Sequence, residues 1–204
     1  TEDESVSIML NEEDHIRLQV MYAGFALDEA YRTASEIEKK LSSKLDFAFD
    51  ERLGYLTSCP TNLGTAMRAS IMLHLPALEM NKSINSLAST VSKIGLTLRG
   101  SFGEGSKADT SLYQLSNQIT LGITEESAAQ NLVSIANQVM EQERSARKEL
   151  EKIVLEDKVF RAYAILKNAR LMSSNELGAL IGILRIGISE GVLDEINHET
   201  LTSL

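Results

Sequence analysis

Three stretches of this sequence hold side chains whose types and spacing could do chemistry. In Asn11-Glu12-Glu13-Asp14-His15-Ile16-Arg17 the carboxylate of Glu13 stands two residues before a histidine and four before an arginine. If the extended strand begins at Glu13, then Glu13, His15 and Arg17 share one face, and a proton acceptor lies beside a cation able to hold a phosphate. Ser58-Cys59-Pro60-Thr61-Asn62-Leu63-Gly64-Thr65 sets a thiol in a polar loop, and Arg68 follows inside the apolar run Ala66 to Met72. Arg99 opens Gly100-Ser101-Phe102-Gly103-Glu104-Gly105-Ser106, whose glycines let backbone approach a ligand closely. Arg17, Arg68 and Arg99 are each expected to be partly buried and to need an anion, and in company they are what a phosphate cradle requires. Plainer readings stand beside these: separate structural ion pairs for the arginines, a solvated turn for the acids, inert packing for Cys59. His15 and His74 have no partner at ligand spacing and read as hydrogen-bonded structural residues.

These groups need elements to position them. Alternation of Val6, Ile8 and Leu10 with polar residues and Met9 predicts a strand over 5–10, and Ile16, Leu18, Val20 and Tyr22 predict a second over 15–22. Leu27, Ala30, Tyr31, Ala34, Ile37, Leu41 and Leu45 recur at helical spacing over 26–45. Short strands are expected around Arg52-Leu53-Gly54, an extended run over 66–75, one helix over about 77–94, and strands at 95–99 and near 111–118. Beyond Gly122 the pattern becomes helical. Thr124 is the expected N-cap, and Leu132, Ile135, Val139, Ala146, Leu150 and Ile153 form one long apolar stripe. Ser173 and Glu176 make a capping box, and Phe160 and Tyr163 read as helix core.

Composition narrows the classes. The 204 residues are 43% hydrophobic, enough to bury a core, and carry a net charge of −9, which argues against a general nucleic-acid binder. The acidic excess is shared, −5 over residues 1–122 and −4 over 123–204, so no segment is a basic arm. A single cysteine and no Cys/His cluster leave neither an internal disulfide nor structural zinc, which suits a reducing compartment. No apolar run approaches the ~18 residues of a membrane span. The start at Thr1 without methionine is what a processed product or an excised piece would show.

Taken together, Asn11 to Arg17, Cys59-Pro60-Thr61-Asn62-Leu63-Gly64-Thr65-Ala66-Met67-Arg68-Ala69-Ser70 and Arg99-Gly100-Ser101-Phe102-Gly103-Glu104 resemble the catalytic domain of the guanidino (phosphagen) kinases, in order and in spacing. The resemblance covers residues 5–122 and ends in Ser116-Asn117-Gln118-Ile119-Thr120-Leu121-Gly122. Within that superfamily the sequence is most similar to the bacterial protein-arginine kinases. Ile8-Met9-Leu10 lacks the tryptophan usual in metabolite kinases, Met72 stands where those carry a nucleotide-contacting histidine, and Phe102 replaces a basic residue of the arginine kinases. From residue 123 onward, including Leu155-Glu156-Asp157-Lys158-Val159-Phe160-Arg161, the sequence resembles the helical regulatory extension of the protein kinases.

The resemblance implies an α+β fold, a mostly antiparallel sheet flanked by helices, followed by a helical extension. It implies a catalytic domain over 1–122, and over 123–204 the end of that domain and the start of a regulatory one. By resemblance Glu13 and Glu104 hold the substrate guanidinium, with Cys59 against one of its nitrogens, and Arg17, Arg68 and Arg99 bind nucleotide phosphates. Arg68-Ala69-Ser70-Ile71-Met72 and Arg99-Gly100-Ser101-Phe102-Gly103-Glu104 line the ATP site. Mg²⁺ is expected to arrive on the nucleotide phosphates, with no protein side chain as metal ligand. The implied activity is transfer of the ATP γ-phosphate to arginine in proteins. Alternatives are a small-guanidine kinase and a non-catalytic partner-binding module. The family's earlier phosphate-binding segment has no counterpart in Thr1 to Met9, so this chain alone is expected to have little activity. The resemblance further implies a cytoplasmic stress-response setting, with an activator protein, Clp protease machinery, a heat-shock repressor as possible substrate, and a possible homodimer; neither nucleic acid nor membrane is expected.

Overall fold

The computed structural model describes residues 1–100 and 110–202. Ser101, Phe102, Gly103 and Glu104, expected to line the site, lie outside the described residues. Two strands open the chain, β1 (Val6–Leu10) and β2 (Ile16–Val20), paired antiparallel with Leu10 opposite Ile16 and Val6 opposite Val20. The register puts Val6, Ile8, Leu10, Ile16, Leu18 and Val20 on one face, as alternation requires. Helix α1 (Leu27–Ser42) packs on β2, yet none of its residues is fully buried. The short antiparallel pair β3 (Phe49–Asp50) and β4 (Gly54–Tyr55) flanks the turn expected around Arg52, and Phe49 and Phe47 meet Tyr55 edge-on.

A single 3-10 turn at Pro60–Asn62 leads to β5 (Ser70–His74). The helix expected over 77–94 is two: α2 (Pro76–Met80) and α3 (Ile84–Ser92). Lys82 adopts a left-handed φ of 58°, and the amides of Lys82 and Ser83 bond back to the carbonyls of Glu79 and Leu78 at 2.9 and 2.8 Å. That is a Schellman ending, and it satisfies α2's terminal carbonyls where Asn81 and Ser83 favour local backbone bonds over helix. Ile94, expected on the packed face, is exposed. β6 (Leu96–Gly100) and β7 (Leu112–Asn117) complete a sheet of order β5-β7-β6. Backbone bonds join Asn117 to Ala69 and Leu75 to Ser111, so β5 and β7 run antiparallel.

Helix α4 (Glu125–Lys148) starts as expected, with Thr124 and Ser127 exchanging side-chain-to-amide bonds of 3.2 Å in each direction. The apolar stripe does not continue to Ile153. The helix stops at Lys148, Glu151 is extended, and α5 (Lys152–Asn168) begins afresh with Ile153 71% exposed. α6 (Ser174–Ser189) is capped by Ser173, whose hydroxyl accepts the Glu176 amide at 3.2 Å, and α7 (His198–Thr202) follows.

The fold divides into two compact units. The first comprises Thr1–Ile71, Lys93–Thr97 and Leu115–Ala136, with Ala69, Ile71, Leu96, Leu115, Ala128 and Leu132 among its buried residues. The second comprises Met72–Ser92, Leu98–Gln114 and Asn137–Leu204. Its core joins Leu155, Val159 and Ala162 of α5 to Leu180, Leu184 and Ile186 of α6, closed by Leu193 and Leu201. Tyr163 packs against this core as expected, whereas Phe160 points away and is exposed. A Cβ at Gly187 would come 2.6 Å from Val159, so close approach of α5 and α6 needs glycine there.

Candidate functional site

The turn joining β1 to β2 presents the acids. Asn11 takes a left-handed φ of 54°, its amide donates to the His15 carbonyl at 3.1 Å, and its side-chain oxygen lies 3.2 Å from His15 Nδ1. This locally closed turn leaves Glu13 exposed and, among the described residues, without a hydrogen-bond or ion-pair partner. Strand β2 starts only at Ile16, so the condition under which Glu13, His15 and Arg17 would share a strand face is not met. Arg17 Nη1 instead donates to Glu12 Oε2 at 2.8 Å. Its pKa rises above the ordinary arginine value first through that hydrogen bond, then through the Glu12 charge, with a smaller pull from Glu13.

Asp14 faces the other way. Its Oδ1 accepts the Ser58 amide at 2.6 Å, a contact 44 residues apart that ties the acidic turn to the loop carrying Cys59. Within that loop the Thr57 hydroxyl donates to the Cys59 carbonyl at 2.7 Å, and Cys59 Sγ lies 3.0 Å from the Thr61 hydroxyl. The thiol is free and half-buried. Gly64 has a φ of 110°, and a Cβ there would overlap the Thr120 carbonyl, so this loop can close on Thr120 only with glycine.

Arg68 has no acidic partner among the described residues. Its Nε donates to Asn62 Oδ1 at 3.0 Å, Nη1 to the carbonyls of Asn117 and Gln118 at 3.1 Å each, and Nη2 to the Thr61 carbonyl at 2.8 Å. Neutral acceptors thus fix the guanidinium while leaving its positive charge uncancelled. Exposure alternates along β5: Ser70 and Met72 are exposed like Arg68, while Ala69 and Ile71 are buried. Ser70 and Met72 can therefore present side chains to a ligand; Ala69 and Ile71 support the strand. Arg99 lies near the end of β6, exposed and without a partner among the described residues, and Gly100 ends that strand. All three arginines are exposed, which corrects the expectation of partial burial. A guanidinium at a strand end or loop reaches water through its long stem, so a strand position does not bury its charge.

Sequence reasoning did not single out Asp14, Asn62, Asn117 or Thr120 as placing these groups. A signal existed for Asn117, which continues the alternation of Tyr113 and Leu115, an inward position where asparagine is unfavourable unless its amide is used. Among the described residues no group of three or more His, Cys, Asp or Glu side chains could hold a metal ion, and no helix is long and apolar enough to cross a membrane.

Comparison with known proteins bears on the same residues. The family described as ATP:guanido phosphotransferase, C-terminal catalytic domain, matches residues 1–146, and the protein-arginine kinase McsB C-terminal domain matches residues 152–204. The chain is 49% identical to a protein-arginine kinase of Clostridium acetobutylicum, over 99% of this chain and 60% of that protein. It is 46% identical to the protein-arginine kinase of Bacillus subtilis, over 100% of this chain and 57% of that one. The chain therefore spans less than two thirds of the length of these relatives. Among solved structures, lombricine kinase is similar with a TM-score of 0.63 and 27% identity, covering 73% of this chain and 42% of that one. The duplicated taurocyamine kinase of Schistosoma mansoni, with bound transition-state-analogue components, is similar with a TM-score of 0.65 and 28% identity, covering 86% and 27%.

Proposed function

The chain belongs to the ATP:guanido phosphotransferase family, and from that premise we propose that it carries catalytic machinery of a protein-arginine kinase, moving the γ-phosphoryl group of ATP to arginine side chains of proteins. The observation that carries this reading is Arg68, held by four neutral hydrogen bonds and left with its full charge. Phosphoryl transfer spreads negative charge over the phosphate oxygens, and a fixed, uncancelled guanidinium is the partner such oxygens need. Four of its five N–H donors are taken, so one, on Nη2, remains to meet a phosphate oxygen, and the rest of the guanidinium acts there through its charge. Arg99, exposed and unpaired among the described residues, is assigned the same task, and Arg17 shares it while already neutralised in part by Glu12. Mg²⁺ would be held by the nucleotide phosphates and would supply charge neutralisation there.

A guanidinium is protonated below a pKa of about 12 and is not a nucleophile until one proton leaves. The free carboxylate of Glu13 is assigned the roles of orienting it and taking that proton. The N–P bond forms as the bond from the γ-phosphorus to its bridging oxygen breaks, and ADP departs with the electron pair. Glu104 is proposed as the second carboxylate and Cys59 as a contact to the substrate nitrogens. Similarity of residues 152–204 to the protein-arginine kinase C-terminal domain favours a protein substrate over a metabolite. The net charge of −9 is in keeping, since an acidic field draws in cationic segments. We assign catalysis to residues 1–122, and to 123–204 the end of that domain and the start of a regulatory one. The working compartment is then the cytoplasm, and a heat-shock repressor, an activator protein and Clp protease machinery are the associates this reading suggests.

The test is phosphorylation by the full-length protein of an unfolded basic protein, compared with free arginine and creatine, with phospho-arginine read by mass spectrometry. The protein substrate should be modified and the metabolites not; preference for a free metabolite would return the small-guanidine reading. Glu13→Gln should lower kcat by about 100- to 10,000-fold with an unchanged circular dichroism spectrum. Near-normal turnover would remove Glu13 as the base. Absence of nucleotide binding by calorimetry would favour a non-catalytic module.

A further inference from the structure

Asn117 is 3% exposed, and its side-chain amide bonds at both ends. Its Oδ1 accepts the Ala69 amide at 2.7 Å, and its Nδ2 donates to the carbonyls of Met67 and Ile119 at 3.1 Å each. The amide thus brackets Arg68, binding the main chain on both sides of it, while the carbonyls of Asn117 and Gln118 take Arg68 Nη1. Thr120 is 4% exposed and works on the other side. Its hydroxyl lies 3.0 and 2.8 Å from the carbonyls of Thr61 and Leu63, and the Thr61 carbonyl is the acceptor of Arg68 Nη2. Two buried polar side chains therefore shape the cage of carbonyls around one exposed cation. Main-chain carbonyls hold a guanidinium without neutralising it, which a carboxylate in their place would do.

We infer that Asn117 and Thr120 are positioning residues for nucleotide binding, acting through Arg68: Asn117 fixes the backbone that carries it, and Thr120 fixes the carbonyl that orients it. The inference rests on the reading of Arg68 as a phosphate ligand. A displacement on the order of 1 Å in such a group costs up to ~100-fold in rate or binding. Neither side chain touches the protein substrate in this reading, so the effect falls on ATP alone.

Steady-state kinetics of the full-length protein test this with Thr120→Val, Thr120→Ser, Asn117→Ala and Arg68→Ala, and with each of Thr120→Val and Asn117→Ala combined with Arg68→Ala. Thr120→Val should raise KM for ATP by about 10-fold with KM for the protein substrate unchanged, and Thr120→Ser, which keeps the hydroxyl, should restore it. In the Arg68→Ala background neither substitution should weaken ATP binding further. Equal losses for ATP and protein substrate, no rescue by serine, or full additivity with Arg68→Ala would overturn the positioning role while leaving the functional reading intact. If Arg68→Ala itself left ATP binding unchanged, the phosphate role of Arg68 would fail first, and the inference with it. Should Asn117→Ala not fold, the Thr120 pair and its cycle with Arg68 decide the matter.

Discussion

Asp14 ties the turn that carries Glu13 to the loop that carries Cys59. Its carboxylate spans from the acidic turn to the Ser58 amide, one residue before Cys59, so it holds a proposed base and a proposed substrate contact in register. Removing it as Asp14→Ala should lower kcat about 10- to 100-fold while leaving KM for ATP within a factor of a few. Steady-state kinetics of the full-length protein would show this, and an unchanged kcat would mean that the turn and loop are held by other contacts. At this scale the sequence made reactive types legible and pairings illegible. Glu12, Glu13 and Asp14 are adjacent acids, yet Glu12 pairs with Arg17, Glu13 has no hydrogen-bond or ion-pair partner among the described residues, and Asp14 binds a remote amide. Which acid does which depends on the φ and ψ values of one turn, fixed by the left-handed Asn11 and its bond to His15.

Among elements, α2 shows how a short helix is kept. It has five residues and no side-chain cap at its N-terminus; Pro76 at its start has no amide to satisfy, and the next two amides, of Ala77 and Leu78, each donate to Glu143 at 3.0 Å. Glu143 comes from α4, is 3% exposed, and also accepts Arg147 Nε at 2.8 Å, while Arg147 reaches on to Glu190 at 3.4 Å. Glu143→Ala would strand two amides and most of the compensation for Arg147. It should destabilise the fold by about 3 kcal/mol, measurable by urea unfolding. A change below about 0.5 kcal/mol would mean that the two amides and Arg147 find other partners when Glu143 is removed. The buried stripe of α4 runs Leu132, Ala136, Val139, Glu143, Ala146, so apolar periodicity located the helix and passed over the acid within its stripe. Strands and helices were legible because alternation and 3.6-residue spacing are local properties. Breaks at Asn81-Lys82-Ser83 and Glu149-Leu150-Glu151 were not, because apolar spacing runs across them and only the local backbone stops the helix.

For the whole molecule, the acid limb of stability follows from His74. Burial, first, and then Arg147, Arg185 and His198 lower its pKa from 6.5 to about 4, and its Nε2 is buried without a partner among the described residues. The unfolded chain takes up a proton near pH 6.5 that the folded chain refuses until about 4. Stability is therefore present in full above the unfolded pKa, falls as pH drops through that window, and levels off below it, an effect of ~3 kcal/mol at most. Replacement by a non-titrating amide, His74→Asn, should flatten the fall in unfolding free energy between pH 7 and pH 4.5 relative to the unsubstituted chain. Parallel curves would show that other groups carry it. By itself the sequence determined the family and the α+β class and offered the candidate residues of the chemistry, because long motifs and apolar periods are written in order along the chain. Only the tertiary structure decided that the arginines are exposed, that Arg68 lies among carbonyls with no acidic partner among the described residues, and that Asp14, Asn117 and Thr120 bond to Ser58, Ala69 and Thr61. Most of the bonds behind those pairings join residues 44 to 59 positions apart, and no local pattern encodes which donor will meet which acceptor.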